Sequence, residues 1–166
     1  TMPWYNNTLF VIVADHPAQS VIPSNDGDVE NSGDILSDYL MSYYKNTSGR
    51  YAIPLLLFNP GDSSFVGTIN STVQQTDLMP TILDYLNYEE SIISFGSSIL
   101  VDEPANIAVQ FVNGLYQITS GRYSLLFDGS RSISLYDNEL DPSHKNNLVE
   151  KDPVLTQELE KNIKAI

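Results

Sequence analysis

An aspartate and a histidine, Asp15 and His16, stand side by side directly after the apolar run Thr8-Leu9-Phe10-Val11-Ile12-Val13-Ala14. Both side chains are direct ligands for a divalent cation, the carboxylate as a hard anionic oxygen and the imidazole through a ring nitrogen whose partner nitrogen is oriented by a hydrogen bond. The run before them is too short to cross a membrane. Its β-branched and aromatic residues give it the pattern of a strand buried on both faces of a parallel sheet. In open α/β sheets, binding and catalytic groups gather just beyond the carboxyl ends of such strands. A purely structural reading stands beside this one: Asp15 caps the following turn while His16 packs as a neutral, hydrogen-bonded ring.

Three further residues carry chemistry in principle. Arg50 offers a forked set of donors that suits the oxygens of an anionic ester, or else a surface ion pair. Asp77 reads as a helix N-cap. His144, in the turn-rich Asp141-Pro142-Ser143-His144, reads as a solvated loop residue, and Trp4 and the 10 tyrosines read as packing in or near the core.

The elements that must position these residues follow from periodicity and turn chemistry. Pro17 to Gly33 is rich in Ser, Asn, Asp, Gly and Pro and reads as a long loop beside the strand end. Ile35, Leu36, Tyr39, Leu40 and Tyr43 recur at helical spacing, which predicts a short helix from about Asp34 to Tyr44. Ala52 to Phe58 is a second buried strand, stopped by Asn59-Pro60-Gly61; its Pro54 places it late into the sheet or at an edge. A second helix carries Leu78, Ile82, Tyr85 and Leu86 on one face, with Pro80 in its first turn and Asn87 at its end.

The last third differs. Ile107 to Val112, Leu115 to Thr119, Tyr123 to Phe127 and Ile133 to Tyr136 are short strand-like runs separated by Asn113-Gly114, Ser120-Gly121 and Asp128-Gly129-Ser130, the signature of an antiparallel meander. A terminal helix opens at Asp152-Pro153, with Lys161 and Lys164 near its carboxyl end. The expected organisation is an α/β portion over residues 1–105 and a meander with a C-terminal helix over 106–166.

Composition narrows the partners. With 166 residues, of which 42% are hydrophobic, the chain can build a domain-sized core. Its 21 acidic and 8 basic residues give a net charge of -13 without any Lys/Arg cluster, which argues against nucleic acid and anionic membrane surfaces. An anionic substrate would need a local counter-charge, for which a bound cation is suited. The absence of cysteine removes disulfides and thiolate metal sites.

Several segments, in order, resemble the sulfatase and lipoteichoic acid synthase branch of the alkaline phosphatase superfamily. Tyr5 to His16 resembles its "NTLFVITADH" strand, and Arg50 to Gly61 its "RYRIPLLIYSPG" stretch. Gln75 to Leu86 is similar to its "QxDIMPTILDYLG" helix, Phe95 to Leu100 to its "FGxSLL", and Leu135 to Leu148 to its closing "LYDLxxDPxExNNL". The resemblance implies a partial alkaline phosphatase-like parallel sheet with flanking helices, plus a small antiparallel sheet and terminal helix. It makes Asp15 and His16 ligands of a divalent metal ion (Mn, Mg, Ca or Zn). Pro17 departs from the small or hydroxyl residue usual after this pair, which bears on the local loop geometry.

The same resemblance places the family's nucleophile (Ser, Thr or formylglycine), an acidic ligand and a substrate-binding His in a segment upstream of this one. The expected role is therefore the C-terminal part of an enzyme acting on phosphate or sulfate esters, inactive by itself, from a membrane-anchored parent that holds it outside the cytoplasm. The alternative is a catalytically silent binding or scaffold module. Without the missing N-terminal half, the Thr8 to Ala14 strand would expose an edge and apolar faces, so self-association or pairing with that half is expected.

Overall fold

The computed structural model describes residues 2–17, 33–36, 38, 42, 43, 46, 48–63 and 65–166. The predicted loop from Pro17 to Gly33 lies outside them except at its two ends. Of the helix predicted over Asp34 to Tyr44, the described residues Ile35, Leu36, Asp38, Ser42 and Tyr43 are helical, Asp34 just precedes them, and the rest lies outside. Two compact units, Thr1–Ile69 and Asn70–Ile166, make up the chain.

In the first unit a 3-10 turn, Tyr5–Asn7, leads into strand β1, Phe10–Val13, and β1 pairs with β2, Leu55–Phe58. Pro54 sits just before β2, where its missing N–H costs the ladder nothing. The pairing is antiparallel, with Phe10 opposite Phe58 and Val13 opposite Leu55, which corrects the parallel arrangement expected of these two strands. An unbroken apolar run reports that both faces of a strand seek cover; it carries no information on strand direction. Direction is set here by the return of the chain: the turn after β2 lies against the turn before β1, so closely that a Cβ on Gly61 would sit 2.0 Å from the Asn6 carbonyl oxygen.

An aromatic cluster anchors this register. The Phe10 ring lies 6.3 Å from Trp4, 5.8 Å from Tyr5 and 5.9 Å from Phe58. Residues opposite each other in an antiparallel ladder share a face, so Phe10, Ile12, Leu56 and Phe58 form one side. Ile12, Leu56 and Phe58 on that side are exposed, and no residue of either strand is fully buried.

The second unit begins with a 3-10 turn, Gln75–Asp77, that runs directly into helix α1, Leu78–Tyr85. The Asp77 side chain is 5% exposed and does not cap α1 itself. Instead, one carboxylate oxygen accepts the Gln74 N–H at 2.9 Å, and the other accepts the Ser97 N–H at 3.0 Å. Thr81 extends the seam: its hydroxyl donates to the Asp77 carbonyl and accepts the Ile99 N–H. Gly96 lies so close to the turn that a Cβ would meet the Thr76 carbonyl oxygen at 2.3 Å. The other end of α1 stops at Asn87, which takes φ 53 while Asn87 and Tyr88 donate to the carbonyls of Asp84 and Leu83.

Strands β3 (Ile107–Val112), β4 (Leu115–Ser120), β5 (Tyr123–Phe127) and β6 (Ser132–Asp137) form an antiparallel sheet in sequential order, the predicted meander. Asn113 and Gly114 take φ 53 and 81, the pair of positive values that a tight two-residue hairpin requires. Helix α2, Pro153–Lys164, starts at Asp152, whose side chain accepts the Leu155 N–H at 3.0 Å. Its Leu159 and Ile163 close over Ile118, Leu125, Phe127 and Leu135 to form the core, each such side chain contributing about 1.5–3 kcal/mol by leaving water.

Residues 70–105 belong with this sheet, although the change of sequence character placed a boundary at 105/106. Gln74 Oε1 accepts the Val109 N–H on β3 at 3.0 Å, and Asn106 Oδ1 accepts the Thr72 N–H at 2.6 Å. These bonds draw the compact division back to Ile69/Asn70. The β6 edge is covered likewise: Asn147 Oδ1 accepts from Leu135, and the Leu148 N–H donates to the Leu135 carbonyl.

Two substitutions test this seam. Gly96→Ala should cost about 1–3 kcal/mol by forcing the Phe95–Leu100 segment off the turn, and Asp77→Ala about 2 kcal/mol by leaving the Gln74 and Ser97 amides without acceptors. Each should lower the urea midpoint with little change in slope; two unchanged midpoints would mean that the segment is held some other way.

Candidate functional site

β1 ends at Val13, and the chain leaves it through Ala14 to place Asp15 and His16 just beyond the carboxyl end of the strand. Both side chains face solvent, His16 at 72% and Asp15 at 90% exposure. His16 Nε2 lies 3.5 Å from Asp15 Oδ1. That is too long for a good hydrogen bond, but it is the spacing of two donors on one cation, since bonds of about 2.0–2.2 Å at a near-tetrahedral angle separate their ends by roughly 3.4 Å.

The other ring nitrogen is engaged as a ligand's should be. His16 Nδ1 lies 2.9 Å from the Pro17 carbonyl oxygen. A carbonyl only accepts, so Nδ1 carries the proton, and in the neutral ring Nε2 keeps its lone pair for a cation. The oxygen and nitrogen donors thus fit a divalent ion in type and spacing. Among the described residues no group of three or more His, Cys, Asp or Glu side chains is assembled to hold one.

Arg50 lies in the 3-10 turn Gly49–Tyr51, exposed, and its backbone N–H donates to the Asn46 carbonyl at 3.2 Å. Among the described residues its guanidinium makes neither the ester-binding contact nor the surface ion pair that its type allows. The turn is built on Asn46, whose Oδ1 accepts the Ser48 and Gly49 N–H groups at 2.9 and 2.7 Å.

Asp137, within the Leu135-Tyr136-Asp137 segment, is a buried carboxylate that pairs with Arg122 at 2.8 Å. Its Oδ1 also accepts the Glu139 and Leu140 N–H groups, so it ties β6 to the loop that follows. Trp4 is exposed beside Phe10 rather than buried in a core.

His144 is not a solvated loop residue. Its ring stacks on Tyr136 with centroids 4.3 Å apart and planes 11° from parallel, and its Nε2 lies 2.8 Å from Asn138 Oδ1. The Asn138 amide donates in turn to Ser124 Oγ at 2.7 Å, which fixes Oδ1 as the atom facing the imidazole. A loop composition of Asp, Pro and Ser hides such a contact, because the stacking partner comes from a strand.

No family model matches the chain, and no curated protein matches it. Solved structures do. Ps i-CgsB superposes with a TM-score of 0.58 at 18% identity over 96% of this chain and 37% of that one. The same protein in complex with k-i-k-neocarrahexaose gives 0.58 at 19% identity, again over 96% and 37%. BT33336S-sulf of Bacteroides thetaiotaomicron, from work on the metabolism of multiple glycosaminoglycans, gives 0.56 at 17% identity over 97% and 39%. The chain therefore has a sulfatase-like α/β fold and spans less than two fifths of the length of the structures it matches. Among the described residues no helix is long and apolar enough to cross a membrane.

Burial lowers the His144 pKa below its ordinary 6.5, partly offset by nearby Asp141. The folded state then holds fewer protons than the unfolded one just below that value, so stability is full above about pH 6.5 and falls as the pH drops toward the folded pKa. His144→Gln should remove this part of the pH dependence; urea midpoints that decline equally in both proteins between about pH 7 and 5 would show that His144 contributes none of it.

Proposed function

We propose that this chain is the C-terminal portion of a metal-dependent hydrolase acting on sulfate or phosphate esters, with Asp15 and His16 as two ligands of its divalent cation. The observation that carries this is the convergence of Asp15 Oδ1 and His16 Nε2 beyond β1 on a sulfatase-like fold. The short span relative to the matched structures supports a parent in which other chain supplies the remaining ligands and the nucleophile.

In that site Asp15 contributes negative charge that balances the cation, and His16 a neutral donor through Nε2. A cation bound there would polarise the ester oxygens and favour the deprotonated nucleophile. Mn, Mg, Ca and Zn are all compatible with one oxygen and one nitrogen ligand. Arg50, a cation on the same unit, could meet an anionic ester once the rest of the site surrounds it. Two ligands seldom fix a metal tightly, so the chain alone is expected to be inactive. An anchored parent holding this part outside the cytoplasm, as in lipoteichoic acid synthase-like enzymes, is the corresponding setting.

In the parent protein, Asp15→Ala or His16→Ala should weaken cation binding by tenfold or more and abolish most ester hydrolysis. Calorimetry with Mn2+ or Ca2+ and turnover of aryl sulfate and phosphodiester substrates read this; unchanged turnover in Asp15→Ala sinks the assignment. A parent that binds no cation at all would favour the silent scaffold.

The exposed side of the β1–β2 ladder supports the pairing partner proposed for this chain, the preceding half of the same domain. Separated from it, the chain should self-associate through Ile12, Leu56 and Phe58. Sedimentation should show concentration-dependent oligomers that Leu56→Lys reduces; a compact monomer at all concentrations would rule out an uncovered interface on this face.

A further inference from the structure

We propose that Pro17 is a positioning residue for His16, an inference that rests on the metal-site reading above. With His16 72% exposed, packing does not orient its ring, and the 2.9 Å bond from Nδ1 to the Pro17 carbonyl is the contact that does. That bond places the proton on Nδ1 and leaves Nε2, 3.5 Å from Asp15 Oδ1, as the donor atom. An unconstrained histidine side chain favours the opposite neutral form, with the proton on Nε2. The carbonyl therefore holds the imidazole in its less favoured tautomer, the one able to bind a cation beside Asp15.

Proline is suited to this task in two ways. Its ring locks its own φ near -65°, which limits where its carbonyl can point. It also restricts the residue before it to extended backbone, so His16 and its acceptor lose freedom together. The departure from the small or hydroxyl residue usual after such a pair becomes a device for fixing an exposed ring. His144 supplies an internal contrast: its Nε2 faces the Asn138 amide oxygen, an acceptor, so the two histidines of the chain hold opposite neutral tautomers.

Nitrogen-15 correlation spectra of the histidine rings, recorded on the whole chain at about pH 8, test this. His16→Gln assigns the signals. The wild type should show one ring protonated on Nδ1 and one on Nε2. In Pro17→Ala the His16 signals should shift toward the Nε2-protonated form while those of His144 stay in place, which reports that the fold is intact. Zn2+ titration followed at His16 Nε2 should then weaken about tenfold relative to wild type. A wild-type His16 protonated on Nε2, or a Pro17→Ala protein unchanged in both tautomer and Zn2+ affinity, overturns the proposal. A tautomer that responds to Pro17→Ala in a chain whose His16 signals ignore Zn2+ would instead overturn the metal-site reading and leave the positioning of the ring intact.

Discussion

The register of the β1–β2 ladder is the constraint on which the candidate site depends. Phe10 packs against Trp4, Tyr5 and Phe58 at once, and a slip of one residue would turn it to the opposite face and break all three contacts. Because Phe10 is held opposite Phe58, β1 must end at Val13, and the next polar residues to emerge are Asp15 and His16. Neither is buried. Their position is inherited from an apolar strand, and the orientation of His16 from the carbonyl of Pro17.

The second unit works by a different means. Its four-stranded sheet and α2 bury an aliphatic core, but its connections are held by polar side chains that stand in for backbone partners. Asp77 joins the start of α1 to Ser97, Gln74 meets the edge of β3, Asn106 receives Thr72, and Asn147 covers the edge of β6. Each satisfies an amide that would otherwise be left without a partner, and each joins segments far apart in sequence. Asp137 adds charge to the same scheme through Arg122.

This division explains why the motif-like segments differ in chemistry. The segments around Asp77, Gly96, Asp137 and Asn147 have roles visible in the fold: a carboxylate that accepts two amides, a glycine that tolerates a carbonyl where a Cβ would be, an ion pair, an edge cover. The segment ending at Asp15 and His16 instead places both side chains in solvent beyond a strand end.

Much of this was legible in the residues themselves. Local rules decided the meander, because Asn113-Gly114 allows little besides a tight hairpin and the apolar runs on either side are short. They decided α2 as well, since Asp152 and Pro153 act within a single turn. The placement of Asp15 and His16 just beyond a strand end was likewise legible, because the apolar run that precedes them stops at Ala14. Tertiary structure alone decided the antiparallel sense of β1 and β2, because an apolar run records its need for cover and not its direction. It alone moved Asp77 from a cap to a buried clamp and His144 from a loop to a stack on Tyr136. The partners in both cases lie in other elements, and a side chain's bonds to distant backbone leave no trace in its neighbours along the chain.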